Sequence, residues 1–201
     1  MNKGRLEAFS DGVIAILITI MVLELKTPEG STWHALRPLV PIILIYVLSF
    51  VFLGIYWNNH HHLLQATEHV NGRILWANLH LLFWLSLTPF AMGWMGATTV
   101  AAAPTAAYGT VLLGSGIAYL ILQREILAAH GPHFRLRAAL GRDLKGKISA
   151  VLYIAGIAIA FENPWISYAV YVFVALMWLV PDRRIERSEL GVKEQGSGVG
   201  G

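Results

Sequence analysis

Eight histidines and no cysteine set the chemistry open to this chain. Thiol catalysis, disulfides and zinc–thiolate sites are excluded. Three of the histidines are consecutive, in Trp57-Asn58-Asn59-His60-His61-His62. The run invites a metal reading, but residues i, i+1 and i+2 on a helix do not share a face, so no single chain chelates with all three. His80 stands near Asn78 in an apolar stretch. With one of His60, His61 or His62 it would permit bis-histidine haem ligation, although no Cys-x-x-Cys-His run accompanies it. Carboxylates at Glu7, Asp11 and Glu24 flank an uncharged stretch, Gly12 to Leu23, whose one hydroxyl is Thr19. A histidine paired with Asp11 would suit a structural bond or a proton relay. No Ser/His/Asp set, phosphate loop or Gly-rich dinucleotide turn stands at credible positions, so an enzyme is not expected.

The elements that must hold these residues are apolar. Of 201 residues, 56% are hydrophobic and 13% charged, and the mean hydropathy is +0.57. A soluble domain carries about 25% charge. Six stretches approach the roughly 20 apolar residues that a membrane crossing needs. They run from about 6–25, 38–59, 74–95, 105–123, 148–161 and 165–180. The fold class is therefore all-α: a polytopic membrane protein with six transmembrane helices and no soluble domain. It is expected to occupy residues 1–181, with a cytosolic, disordered tail at 182–201 that ends Gly/Ser-rich. Pro28 and Gly30 close the first span, Pro38 and Pro41 open the second, and Pro104 is placed to start the fourth. Glu162-Asn163-Pro164 makes a hairpin of the last two. Glu7 and Asp11 stand where a secretory leader would be basic, and no small-residue cleavage site follows Leu25, so no cleavable leader is expected.

Six spans put both termini on one side, and thirteen of the fifteen Lys and Arg residues fall on that side. The asymmetry predicts cytosolic termini. The cluster Arg135, Arg137, Arg142, Lys145 and Lys147 then reads as a topology signal in contact with anionic lipid rather than as a nucleic-acid site.

The first span is unusual. Its uncharged stretch covers only about 18 Å of a roughly 30 Å core, so the helix must carry charge into the membrane. Ile16, Thr19, Ile20 and Leu23 follow i, i+3, i+4, i+7 and make one stripe, with Asp11 well off it. Such a stripe is either an ordinary packing face or the lining of a pore in a symmetric oligomer, with apolar rings and a ring of hydroxyls.

Arg5-x-x-x-Phe9-Ser10-Asp11, followed by an apolar helix ending Val22-Leu23-Glu24-Leu25, resembles the signature of the transmembrane protein 175 family of lysosomal and bacterial potassium channels. Trp57-Asn58-Asn59-His60-His61, Asn78-Leu79 and Leu87-Thr88-Pro89-Phe90 are similar to that family's second and third helices. The resemblance implies a single-repeat bacterial member: a homotetramer, permeable to K⁺ and other monovalent cations, in the inner membrane, without cofactor or metal. It implies that the first helix lines the pore, with Ile16, Ile20 and Leu23 as apolar constrictions and Thr19 as the layer linked to potassium preference. Arg5, Phe9, Ser10, Asp11, Trp57, His60, His61 and Asn78 would form a structural and gating network. Asp11 is expected to be buried and paired with His60 or His61. The chain has no Thr-Val-Gly-Tyr-Gly filter, so selectivity would come from side chains. A proton-coupled carrier using Asp11 and a histidine, and a bis-histidine haem protein, are the competing readings.

Overall fold

A computed structural model of the chain describes residues 2–130 and 144–179. The tail at 182–201 and Arg135, Arg137 and Arg142 of the basic cluster lie outside the described residues. Among the described residues every regular element is helical.

Helix α1 spans Lys3–Ile20 and tightens into a 3₁₀ turn over Met21–Glu24. At about 1.5 Å per α-helical residue and about 2.0 Å per 3₁₀ residue, the two together reach about 35 Å. A bilayer core is thus crossed with Glu7 and Asp11 carried along. A second 3₁₀ segment, Trp33–Leu39, leads into α2 at Val40–Ala66. The second span therefore runs past the expected end at Asn59, and all three consecutive histidines are helical.

The third span, expected to be continuous, is broken. Helix α3 covers Gly72–Ser86 and α4 covers Thr88–Ala97. Pro89 has no N–H to give the Leu85 carbonyl, so the ladder stops and restarts with the proline in the first turn of α4. Ser86 Oγ caps the broken end by donating to the Phe83 carbonyl at 2.7 Å. Helix α5, Ala102–His130, outlasts the expected fourth span by two turns. Helices α6, Leu144–Ile159, and α7, Pro164–Leu179, form the expected hairpin. Asn163 Oδ1 accepts from the Trp165 amide at 3.1 Å, and Pro164 starts α7 where its missing N–H costs nothing. Four stretches, Lys3–Glu24, Trp33–Ala66, Gly72–Ala97 and Ala102–His130, are long and apolar enough to cross a membrane, and Pro164–Leu179 is a shorter apolar helix.

The spans close on small residues. The Trp84 ring of α3 lies against Gly114 of α5, where a Cβ would meet its carbons. Tyr171 of α7 fits between Gly109 of α5 and Gly156 of α6, and its hydroxyl donates to the Thr105 carbonyl at 3.3 Å. Close helix approach through small residues is how apolar helices associate where no hydrophobic force separates lipid from protein. Helix α1 packs on α2, α3 and α4, burying Leu6, Ser10, Ile14, Leu17 and Met21.

Candidate functional site

Two polar arrangements bind α1 to its neighbours. The first is buried. Ser10, His60 and Asn78 are each 0% exposed and come from three different helices. The direction of every hydrogen bond follows from the one before it. Ser10 Oγ donates to the Leu6 carbonyl at 2.9 Å, because a carbonyl only accepts. Its lone pairs then accept from Asn78 Nδ2 at 2.9 Å. That fixes the amide, so Asn78 Oδ1 faces His60 Nε2 at 2.7 Å and must accept from it. His60 is thereby held as the Nε2–H tautomer. Its Nδ1 is buried with no partner among the described residues.

The second arrangement is a partly exposed ladder. Lys3, Glu7 and Asp11 repeat at i, i+4 on α1, and Trp57, His61 and Gln65 repeat at i, i+4 on α2. The helices run antiparallel, so the rows meet in reverse order. Trp57 Nε1 donates to Asp11 Oδ1 at 3.1 Å. His61 Nδ1 lies 3.5 Å from Glu7 Oε1. Lys3 Nζ donates to the Gln65 carbonyl at 2.6 Å, placing a cation at the C-terminal end of α2, where the helix dipole favours it. The Trp57 and His61 rings stack at 6.0 Å, and Gln65 Nε2 lies 2.9 Å from His61 Nε2.

Asp11 therefore pairs across to α2 as expected, but with the Trp57 indole. The expected histidine partner is not used: His61 turns to Glu7 and His60 to Asn78. Asp11 is also half-buried rather than sealed, because an indole donor satisfies it at the rim of the bundle. The chain of residues expected to act together divides in consequence. Ser10, His60 and Asn78 meet inside, Asp11, Trp57 and His61 meet at the rim, and Arg5 and Phe9 are exposed. Sequence reasoning missed Glu7 and Gln65 as members, although the paired i, i+4 rows were present to be read. His80 accepts from Trp84 Nε1 at 3.0 Å, so its Nε2 and that of His60 are both engaged within the protein. Among the described residues no group of three or more histidines and carboxylates is arranged to hold a metal.

The opposite side of α1 is bare. Ile16 is 59% exposed, Leu23 78% and Ile20 38%, and Thr19 and Phe9 share that side. The 3₁₀ turn alters the stripe. Three residues at about 120° instead of about 100° carry Leu23 about 60° further round than a continuous α-helix would. Leu23 then eclipses Ile20 rather than standing over Ile16. Thr19 Oγ1 donates its only proton back to the Ile16 carbonyl at 2.8 Å. What the hydroxyl presents outward is lone pairs, the right polarity for a cation.

Comparison with known proteins points to one family. Residues 5–89 match the family described as the endosomal/lysosomal potassium channel TMEM175. A potassium channel of Chryseobacterium sp. is 56% identical over 188 residues, covering 94% of this chain and 98% of the relative. A potassium channel of Streptomyces collinus is 30% identical over 193 residues, covering 89% and 92%. Among solved structures, the crystal structure of a lysosomal potassium-selective channel TMEM175 homologue from Chamaesiphon minutus superposes with a TM-score of 0.78. It is 25% identical, and the match covers 89% of this chain and 96% of that one.

Proposed function

The chain belongs to the TMEM175 family, and from that premise we propose that it is a potassium channel in which four copies of the chain surround one pore lined by α1. The observation that carries the reading is the two-sidedness of α1. One side is sealed against α2, α3 and α4 through Leu6, Ser10, Ile14, Leu17 and Met21, and the other leaves Ile16, Thr19, Ile20 and Leu23 bare. One helix encloses nothing, whereas closed cyclic symmetry turns one such face per subunit into a complete wall.

The side chains then set the behaviour. Rings of Ile16, Ile20 and Leu23 give an ion nothing to replace its hydration shell, so a narrow ring blocks by desolvation and opens when it widens and wets. Four Thr19 oxygens offer lone pairs to a partly dehydrated cation and supply a modest preference for potassium. The buried Ser10–Asn78–His60 cluster and the rim ladder hold α1 at a set rotation, so tilt or rotation of α1 against them is the gating movement. The concentration of Lys and Arg on one side supports cytosolic termini in a bacterial inner membrane. Potassium is the permeant ion, and no cofactor enters the mechanism.

A potassium-gradient flux assay in liposomes, combined with a detergent-corrected mass, tests this reading. Fourfold assemblies passing ions at channel rates are expected. Conduction by a monomer, or transport at carrier rates that requires a proton gradient, would overturn it.

A further inference from the structure

We propose that the groove between α3 and α5 binds the headgroup of phosphatidylethanolamine, a phospholipid that carries both a phosphate and a primary ammonium. The two helices run antiparallel, and the Trp84 ring meets Gly114 where they touch. Arg73 and Glu125 each lie eleven residues from that contact on their own helix. At about 16 Å along both helices, they stand level with one another. Both line an open groove of about 800 Å³, in which Ala77 and Ile121 supply apolar surface. Arg73 and Glu125 also stand near Gly72 and His130, the matching ends of two stretches long enough to cross a bilayer. A groove at that level opens to the headgroup layer rather than to the acyl interior.

The cation and the carboxylate are level but do not pair. Among the described residues, neither the Arg73 nor the Glu125 side chain makes an ion pair or a hydrogen bond. Arg73 is exposed and Glu125 half-buried. Two opposite charges on one groove, beyond ion-pair reach of each other, are complementary to a zwitterion. A phosphate oxygen suits the Arg73 guanidinium, and an ammonium with N–H donors suits the Glu125 carboxylate. A glycerol headgroup brings no cation to Glu125. A choline headgroup brings a cation without an N–H donor.

Helix α3 supplies the remaining contacts in the order a phospholipid needs them. Arg73, Trp76 and His80 stand at i, i+3 and i+7 and share a face, and all three line the groove. Trp76 is 75% exposed, an indole at the level where membrane and water meet. An indole N–H only donates, so Trp84 Nε1 at 3.0 Å fixes His80 Nε2 as an acceptor. The neutral ring then carries its proton on Nδ1. His80 is exposed and lies about 10 Å deeper than Arg73. Glycerol ester carbonyls sit below the phosphate of a bound lipid and are acceptors for that proton.

The proposal uses only the membrane embedding of the bundle, so its failure would leave the pore reading intact. The purified assembly is mixed with equal amounts of phosphatidylethanolamine, phosphatidylcholine and phosphatidylglycerol of matched acyl chains, and retained lipid is counted by native mass spectrometry. Phosphatidylethanolamine should be retained up to about fivefold over each of the others, the most that one ion pair at an open site supplies. Glu125→Gln should abolish that preference, and Glu125→Lys should turn it toward phosphatidylglycerol. Arg73→Gln should lower retention of all three lipids about fivefold, since all three carry the phosphate. If Arg73→Gln fails to assemble, the two Glu125 variants still decide the question. Equal retention of the three lipids, or a preference that survives Glu125→Gln, would overturn the proposal. So would dissociation of the assembly in both Glu125 variants, which would assign the carboxylate to a contact between subunits.

Discussion

Asn78→Ala should destabilise the assembled bundle more than Ser10→Ala, and the reason is position within the buried cluster. Asn78 stands in the middle, donating to Ser10 at 2.9 Å and accepting from His60 at 2.7 Å. Its truncation removes both bonds and strands the His60 N–H in a site with no exposure. Interhelical hydrogen bonds in membranes average about 0.6 kcal/mol, so two give a lower bound of about 1 kcal/mol. Adding the desolvation of a stranded buried donor, about 1–3 kcal/mol, sets the upper bound near about 4 kcal/mol. Ser10 stands at the end of the chain. Ser10→Ala loses the bond from Asn78 and one bond to the Leu6 carbonyl, which α1 already occupies through its own backbone ladder. Because Asn78 Nδ2 is then left without that acceptor in the same buried site, about 1–3 kcal/mol is expected, below Asn78→Ala, which also loses the bond to His60. Reversible unfolding in mixed micelles of rising SDS content measures both. The double variant should cost less than the sum of the singles, because both remove the same Asn78–Ser10 bond. Equal costs for the two single variants, or strict additivity, would refute the directional chain of donors and acceptors.

Three further outcomes follow from the geometry. Asp11→Asn should cost under about 1 kcal/mol, because an amide oxygen still accepts from Trp57, whereas Trp57→Phe should cost about 0.5–1.5 kcal/mol by leaving Asp11 without that donor; thermal melts in detergent compare them. Gly114→Ala should destabilise by about 1–3 kcal/mol, since the new Cβ falls on the Trp84 ring, and Trp84→Leu in the same chain should restore part of the loss in the same melts. In bilayers with K⁺ on one side and Na⁺ on the other, Ile16→Asn or Leu23→Ser should raise leak of several cations, and Thr19→Val should lower the preference for K⁺ while conduction persists; unchanged currents and reversal potentials in all three would remove α1 from the pore wall.

Much of the architecture was legible in the residues because a bilayer leaves few options. Every backbone group must be satisfied within the segment, so an apolar run of sufficient length is a helix, and prolines, glycines and charges mark its ends. The spans, the α6–α7 hairpin and the motif from Arg5 to Asp11 were readable on that basis. The bare stripe on α1 was also legible, because helical periodicity is local. What the residues did not disclose depends on which faces meet. Pro89 was visible, but whether it kinks, breaks or merely starts a turn depends on the packing that re-satisfies the freed carbonyls. The 3₁₀ turn at Met21–Glu24 rotates Leu23 onto Ile20, a change no heptad count contains. The partner of Asp11 was misjudged for the same reason. A carboxylate near three histidines invites a charged pair, yet the antiparallel register sets Asp11 opposite Trp57 and Glu7 opposite His61. Local pattern names the groups able to bond; only the rotation and register of packed helices decide which of them are close enough to do so.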